Sequence, residues 1–448
     1  MLTRKDAALL AGGSLVGEDG QILRVVTDSR SAGEGDLFVA LKGERFDAHD
    51  FVADVVARGA CALVRDDFAL EGAALIRVDD TRLALGRLAA GWAARMPARR
   101  VGITGSNGKT TVKEMVAAVL RHVAGSDAVL ATAGNFNNDI GLPLTLLSIR
   151  PEHRYAVLEM GMNHAGELTY LASLARPETA LVNNAMRAHI GHFGSVEAIA
   201  HAKAEIFSGL SDTGTAIVNA DDAHAALFAA AAGSRPRLSF GLGEGAGVTA
   251  RSVVLAADAS RFVLVTPQGE AEVQLTAAGE HNVRNALAAA ALCVALGVSP
   301  AEIAAGLATF GGVKGRLQLT QAACGARLID DTYNANTDSM KAAVRVLAAY
   351  PAPRFFVMGD IGELGEGAPA LHAEVGAAAR AAGIEHFYTL GELARHAAAA
   401  FGEGAASFDD VDALCTELKK ALTKDATVLV KGSRFMRMER VVAALAGA

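Results

Sequence analysis

The chain has 448 residues, half of them hydrophobic and a fifth charged, with a formal net charge of −7. That length allows about three domains at ~150 residues each. The composition is that of a well-cored protein, and interspersed charge without a basic run argues against a nucleic-acid or anionic-membrane partner.

The first block runs over residues 1–97. It opens M-L-T-R-K-D-A-A, with no apolar segment of the kind a secretory signal needs. Strands are expected at Asp36 to Leu41 and Cys61 to Val64, then a helix from Leu83 to Arg95 that Pro97 breaks. The second block, 98–312, opens with strand R-R-V-G-I-T and the glycine loop T-G-S-N-G-K-T-T. Apolar residues at helical spacing follow from Thr110 to Val123, so the loop has the strand–loop–helix setting that a phosphate cradle requires. Further strands at Tyr155 to Glu159, Thr179 to Asn183 and Thr215 to Asn219 alternate with helices, as in a mainly parallel sheet covered by helices. Short alternating stretches between Gly233 and Gln274 predict a small antiparallel insert. The apolar run Ala286 to Val298 is shorter than the ~20 residues of a membrane span. The third block, 313–448, carries strands at Arg327 to Asp331, Arg354 to Met358, His386 to Leu390 and Thr427 to Val430, each followed by a loop and a helical pattern. This is a Rossmann-like, doubly wound unit whose sites belong at the carboxyl ends of the strands. Four widely spaced cysteines, Cys61, Cys293, Cys324 and Cys415, include no C-x-x-C pair and read as buried free thiols in a reducing cytosol.

The glycine loop is the sharpest signal. Gly105 and Gly108 let the chain turn so that backbone N–H groups, with Ser106 and Asn107 between them, converge on phosphate oxygens. Lys109 can neutralise the β and γ phosphates, Thr110 can place its hydroxyl on Mg²⁺, and Thr111 continues the turn into the helix. The competing reading is a glycine turn that merely joins strand to helix. The position five residues before the G-K pair is Ile103, not glycine, which argues against an ordinary GTPase or motor ATPase. Glu159 ends the hydrophobic strand Y-A-V-L-E beside this loop and offers hard oxygen to Mg²⁺. A solvated strand-end acid is the alternative. His189 and His192 are three apart, but no third ligand has suitable spacing and zinc is discounted. Lys203 reads from composition as an ordinary helix lysine. Asn282 and Asn285 lie on one side of a helix start, where amides can read a purine edge or cap the helix.

The loop resembles that of the Mur ligase superfamily, the ATP-dependent amide ligases of peptidoglycan assembly and their folate-pathway relatives. Other segments fall in that family's order: G-N-F-N-N-D-I-G-L-P from Gly134, E-M-G-M-N from Glu159, N-N-A-M-R-A-H-I-G-H-F-G-S from Asn183, A-K-A-E-I-F from Ala202, G-E-H-N-V-R-N-A-L from Gly279, K-G-R from Lys314, D-D-T-Y-N-A-N-T-D-S-M from Asp330 and K-G-S-R from Lys431. The first-block stretch F-V-A-L-K-G-E-R-F-D-A-H-D-F and the D-T-Y-N-A-N-T-D-S-M segment are similar to the branch that adds a dipeptide.

The resemblance implies a three-domain α/β protein: a small α/β domain binding a uridine-diphosphate substrate, a central parallel-sheet ATPase domain with an antiparallel insert, and a C-terminal domain that takes the incoming amine and closes on ATP. It implies ligation of D-alanyl-D-alanine to UDP-N-acetylmuramoyl-tripeptide through an acyl phosphate, in a cytoplasmic monomer using ATP and two Mg²⁺. Glu159 and Thr110 would share one metal. His189 would approach the second, together with a carbamate formed on Lys203. Asn282 and Asn285 would meet adenine, and Arg316 and Asp331 the ribose and phosphates. Asn334, Asn336, Ser339, Lys431, Ser433 and Arg434 are assigned to the dipeptide side, with capping by Thr337 or Ser433 as the alternative. Ser29, Arg30, Lys42, Gly43, Asp47 and His49 would hold the uridine diphosphate end, and Asn138 its diphosphate. A relative adding a single amino acid, or an ATP-binding regulatory module without ligation, is the competing function. Amine-dependent turnover separates these readings.

Overall fold

The fold was analysed in a computed structural model that describes residues 2–44 and 46–447. Each block builds its own sheet. In the first, strands Arg24–Val26, Asp36–Val39, Cys61–Arg65 and Leu75–Val78 are parallel neighbours, and Ser14–Val16 adds an antiparallel edge. The helix predicted to end at Arg95 spans Thr81–Ala93, stopping ahead of Pro97, and Asp80 caps its start by accepting from the N–H groups of Arg82 and Leu83.

The central sheet has six parallel strands in the order Arg237–Phe240, Thr215–Asn219, Thr179–Val182, Arg99–Thr104, Tyr155–Glu159, Val129–Ala131. Strand Arg99–Thr104 therefore has its successors on both sides, which makes its carboxyl end the switch point where ligands bind in open α/β sheets. Val182 pairs with Thr104, and Glu159 with Ile103. The glycine loop, Glu159 and Asn183 thus emerge at one level. Every residue of Tyr155–Glu159 and of Thr179–Val182 is buried, as expected for strands covered on both faces.

The insert is smaller than the sequence predicts. Arg237–Phe240, expected within it, pairs in parallel with Ala216 to Asn219 and completes the central sheet. The antiparallel part is Thr249–Leu255, Ser260–Thr266 and Gly269–Leu275. Its inner residues Phe262, Leu264, Val273 and Leu275 pack on helices Lys109–Ala124, Glu280–Ala295 and Pro300–Ala308. The apolar run Ala286 to Val298 lies largely in the second of these helices, a core element; among the described residues no helix is long and apolar enough to cross a membrane.

The first and central domains share one apolar core. Leu63, Ile76, Leu85 and Leu88 join Leu142, Leu146, Leu168 and Leu171 in it, and the Trp92 indole donates to the Ile149 carbonyl at 2.9 Å across the seam.

The third domain has the sheet order Gln318–Gln321, Arg327–Asp331, Thr427–Lys431, Arg354–Gly359, His386–Leu390, Ala405–Phe408, antiparallel only at the Gln318–Gln321 edge. Its helices Ala368–Ala381 and Ala394–Phe401 touch backbone to backbone at Gly376, where an added Cβ would lie 1.9 Å from the Ala397 carbonyl oxygen. Gly376→Ala is expected to destabilise this domain by about 3 kcal/mol. Urea unfolding followed by circular dichroism checks this, and an unchanged midpoint would refute the close approach.

Candidate active site

Gly108 ends the phosphate loop at φ +80°, capping helix Lys109–Ala124, and a Cβ there would lie 2.3 Å from Asn285 Oδ1. Both facts require glycine. The loop is held from the next strand end. Asn184 Oδ1 accepts from the Asn107 N–H at 2.8 Å, Asn183 Nδ2 donates to the Asn107 carbonyl at 2.9 Å, and Ser106 Oγ donates to the Met186 carbonyl at 3.0 Å. Lys109 folds back to donate to the Gly105 carbonyl at 2.7 Å. Burial lowers its pKa, Glu159 opposes that shift, and Arg316 adds to it. Its charge is held in a low-dielectric place that a phosphate would stabilise.

Thr110 Oγ1 donates to Glu159 Oε2 at 2.8 Å, and Asn137 Nδ2 donates to Glu159 Oε1 at 2.8 Å. From the third domain, Arg316 Nη2 donates to Thr110 Oγ1 at 2.9 Å. Glu159, 3% exposed, is thus fixed at both oxygens next to a hydroxyl. This is a hard-oxygen pair of the kind Mg²⁺ prefers. Among the described residues no cluster of three or more His, Cys, Asp or Glu side chains converges, so phosphate and water would have to complete any coordination.

Lys203 is 2% exposed near the carboxyl end of helix Val196–Ala204. Burial lowers its pKa well below that of an ordinary lysine, and the Lys109 charge lowers it further. His189 has a left-handed backbone (φ 61°), and its Nδ1 lies 2.5 Å from Glu363 Oε2 of the third domain.

Asn282 and Asn285 are both buried. Asn285 Nδ2 donates to Asn282 Oδ1 at 3.2 Å, and Asn282 Nδ2 to the Ala278 carbonyl at 2.8 Å. The cap of their helix is Gly279, so the capping alternative for Asn282 fails. Beside them His281 stays neutral: burial, with the Arg345 and Lys431 charges, pulls its pKa down to about 4.

The third domain's candidates line the same cleft, of about 1980 Å³, but several are already engaged. Lys431 Nζ lies 2.7 Å from Asp331 Oδ2 and donates to the Asn334 carbonyl at 3.0 Å. Burial raises the Asp331 carboxyl even against that ammonium. Asn336, not Thr337, caps helix Thr337–Ala348, in a reciprocal box with Ser339. Its Nδ2 crosses to Asn107 Oδ1 at 2.7 Å. Ser433 Oγ accepts from the Gly362 N–H at 2.9 Å and makes no cap bond, while Arg434 meets Glu439 at 3.2 Å. Asn138 lines the cleft and accepts from the Gly141 N–H at 2.9 Å.

The first-domain candidates gather elsewhere. Arg30 pairs with Asp28 at 2.6 Å beside Ser29. The Lys42 backbone pairs antiparallel with that of Asp47, with Gly43 exposed next to it. His49 is buried: its Nδ1 lies 2.6 Å from Asp47, and its Nε2 accepts from the Arg65 N–H at 3.1 Å. It serves as a local brace.

The sequence reading singled out neither Asn137, which orients Glu159, nor His281, nor Arg187. It also passed over Lys113, 1% exposed behind the loop and donating to the Thr132 carbonyl at 2.6 Å. The quoted segments contain Asn137, Arg187 and His281, and a polar side chain inside such a stretch was the available clue. Nothing in the sequence separates Lys113 from a surface helix lysine.

A three-domain α/β protein with a phosphate loop under an interdomain cleft defines a class, and comparison with known proteins gives its family. The Mur ligase middle domain matches residues 103–293, the Mur ligase glutamate ligase domain residues 315–434, and the Mur ligase family catalytic domain residues 21–93. The chain belongs to the Mur ligase family. It is 47% identical to the UDP-N-acetylmuramoyl-tripeptide–D-alanyl-D-alanine ligase of Escherichia coli K12, over 97% of this chain and 96% of that one. It is 41% identical to the ligase of the same name from Haemophilus influenzae, over 99% and 98%. A crystal structure of MurF from Acinetobacter baumannii superposes with TM-score 0.92 at 40% identity, over 99% and 98% of the two chains. MurF of Thermotoga maritima in complex with ADP superposes with TM-score 0.85 at 28% identity, over 95% and 97%.

Proposed function

We propose that this chain joins D-alanyl-D-alanine to UDP-N-acetylmuramoyl-tripeptide at the expense of ATP, the last step in assembling the pentapeptide precursor of peptidoglycan. The observation that carries this reading is the site itself: a phosphate loop and a buried lysine line one cleft, in a chain that matches named dipeptide-adding ligases over almost its whole length.

The chemistry joins an anionic carboxylate to an anionic phosphate, so positioning and charge neutralisation are its main needs. The loop N–H groups and Lys109 bind the β and γ phosphates, Arg316 and Asp331 hold the ribose and phosphates, and Asn282 and Asn285 meet the base. Thr110 and Glu159 would hold one Mg²⁺. His189 and Lys203 would serve a second, and the depressed Lys203 pKa favours the free amine, whose nitrogen must attack the carbon of CO₂ and lose a proton to form a carbamate. Magnesium supplies neutralisation of charge on the transferring phosphoryl group. The tripeptide carboxylate oxygen bonds to the γ phosphorus as ADP leaves. The dipeptide amine then bonds to the acyl carbon, the carbon–oxygen bond to phosphate breaks, and inorganic phosphate departs. The uridine diphosphate end is assigned to Ser29, Arg30, Lys42, Gly43, Asp47 and Asn138. We withdraw His49, which is occupied by Asp47 and the Arg65 backbone. For the dipeptide side we retain Asn334, Lys431, Ser433 and Arg434, with Asn336 and Ser339 supporting them through the helix cap. Domain limits at 1–97, 98–312 and 313–448 suit these roles. Dependence on ATP favours the cytoplasm, and a single chain supplying every proposed group favours a monomer.

The test is to give the purified protein ATP, Mg²⁺ and the tripeptide, with either the dipeptide or single amino acids. Equal yields of ADP and pentapeptide are expected with the dipeptide. Phosphate release with a single amino acid but not with the dipeptide would overturn the substrate assignment.

A further inference from the structure

The third domain is fastened to the central one by charges that the reaction does not use. Arg187 follows strand Thr179–Val182 on the central domain. Its backbone N–H donates to Asp338 Oδ2 at 3.2 Å, its Nη2 lies 2.5 Å from Asp338 Oδ1, and its Nη1 lies 2.8 Å from Glu374 Oε2. Asp338 sits in the first turn of helix Thr337–Ala348, and Glu374 in helix Ala368–Ala381. Lys341 also pairs with Glu374, whose carboxyl is held down at about 2, chiefly by Arg187. The Arg187 side chain is only 25% exposed and meets two carboxylates with its planar fork. That geometry is stronger and more directional than an exposed ion pair.

The clamp lies on a direct line to the chemistry. Residues 183–186, just before it, carry the hydrogen bonds that hold Ser106 and Asn107 of the phosphate loop. Two residues after it, His189 faces Glu363, and the Gly191 N–H donates to the Glu363 carbonyl at 2.9 Å. In the same domain orientation Arg316 and Asn336 of the third domain reach Thr110 and Asn107.

Building on the ligase reading, we propose that Arg187 is a positioning residue: its clamp on Asp338 and Glu374 holds the third domain closed over the acyl phosphate and keeps water from it. When the clamp opens, water bonds to the acyl carbon, the carbon–oxygen bond to phosphate breaks, and the tripeptide carboxylate and inorganic phosphate return. ATP is then hydrolysed with no amide formed.

Full-length Arg187→Met and Glu374→Gln variants and their double test this, with phosphate released per amide formed read alongside the radius of gyration from solution scattering without substrates. The wild type should release one phosphate per amide. Each single variant should raise that ratio roughly threefold and enlarge the radius, Arg187→Lys should restore part of the coupling, and the double should do no worse than the worse single. A ratio and radius unchanged in folded Glu374→Gln and Arg187→Met would overturn the clamp. Failure of the wild type to form amide would instead sink the ligase reading, while scattering would still decide the clamp.

Discussion

Lys109→Ala is expected to lower turnover at least a hundredfold, about 3 kcal/mol of barrier, with the fold intact. The ammonium rests on the Gly105 carbonyl in a place where burial already disfavours its charge, and Arg316 disfavours it further. A triphosphate relieves that cost, and as charge shifts in transfer the lysine meets it without reorganisation. Lys109→Arg should not rescue, because a wider planar group cannot take the ammonium's place over the turn at Gly105 to Gly108. Steady-state kinetics with saturating ATP checks the point. Turnover within a few-fold of wild type would show that the loop does not grip the transferring phosphoryl group.

The second large effect is at Lys203. Lys203→Ala should lose roughly three orders of magnitude in turnover, about 4 kcal/mol, and recover part of it in the presence of formate or acetate. The logic is electrostatic. A buried ammonium beside Lys109 would add a second cation to the same place, and burial together with the Lys109 charge opposes it. Conversion to a carbamate would replace a disfavoured cation with an anion that Lys109 would stabilise. The direction of the shift fixes the pH trend: the amine loses its proton at lower pH than a free lysine does, so bicarbonate should activate the enzyme near neutrality and less as the medium turns acid. Full activity of Lys203→Ala, or a loss that carboxylic acids do not touch, would return the residue to an ordinary place in its helix.

Much of this was readable along the chain where a segment carried its own boundary marks. Strands Tyr155–Glu159, Thr215–Asn219, Arg327–Asp331 and His386–Leu390 have the bounds their apolar runs predict. Edge strands did not announce themselves. Gln318–Gln321 is exposed throughout, with Leu319 its one apolar residue, and Arg237–Phe240 falls in the stretch expected to form the insert because its partner is known only once Thr215–Asn219 is in place. The site divides the same way. Glu159 is visible as an acid closing a buried strand. Lys203 is not, because its burial comes from packing that no local pattern records. The partners of Arg187 lie 151 and 187 positions further on, beyond any pattern of spacing.

Trp92 is the chain's single tryptophan, and it lies where the first two sheets share their core, hydrogen-bonded across the seam and away from the cleft. Its ultraviolet emission therefore reports on one joint of the molecule and is silent about the other. A titration with nucleotide that leaves this fluorescence flat says nothing against movement of the C-terminal lobe. A change in it means that the joint between the N-terminal and central domains has itself been disturbed.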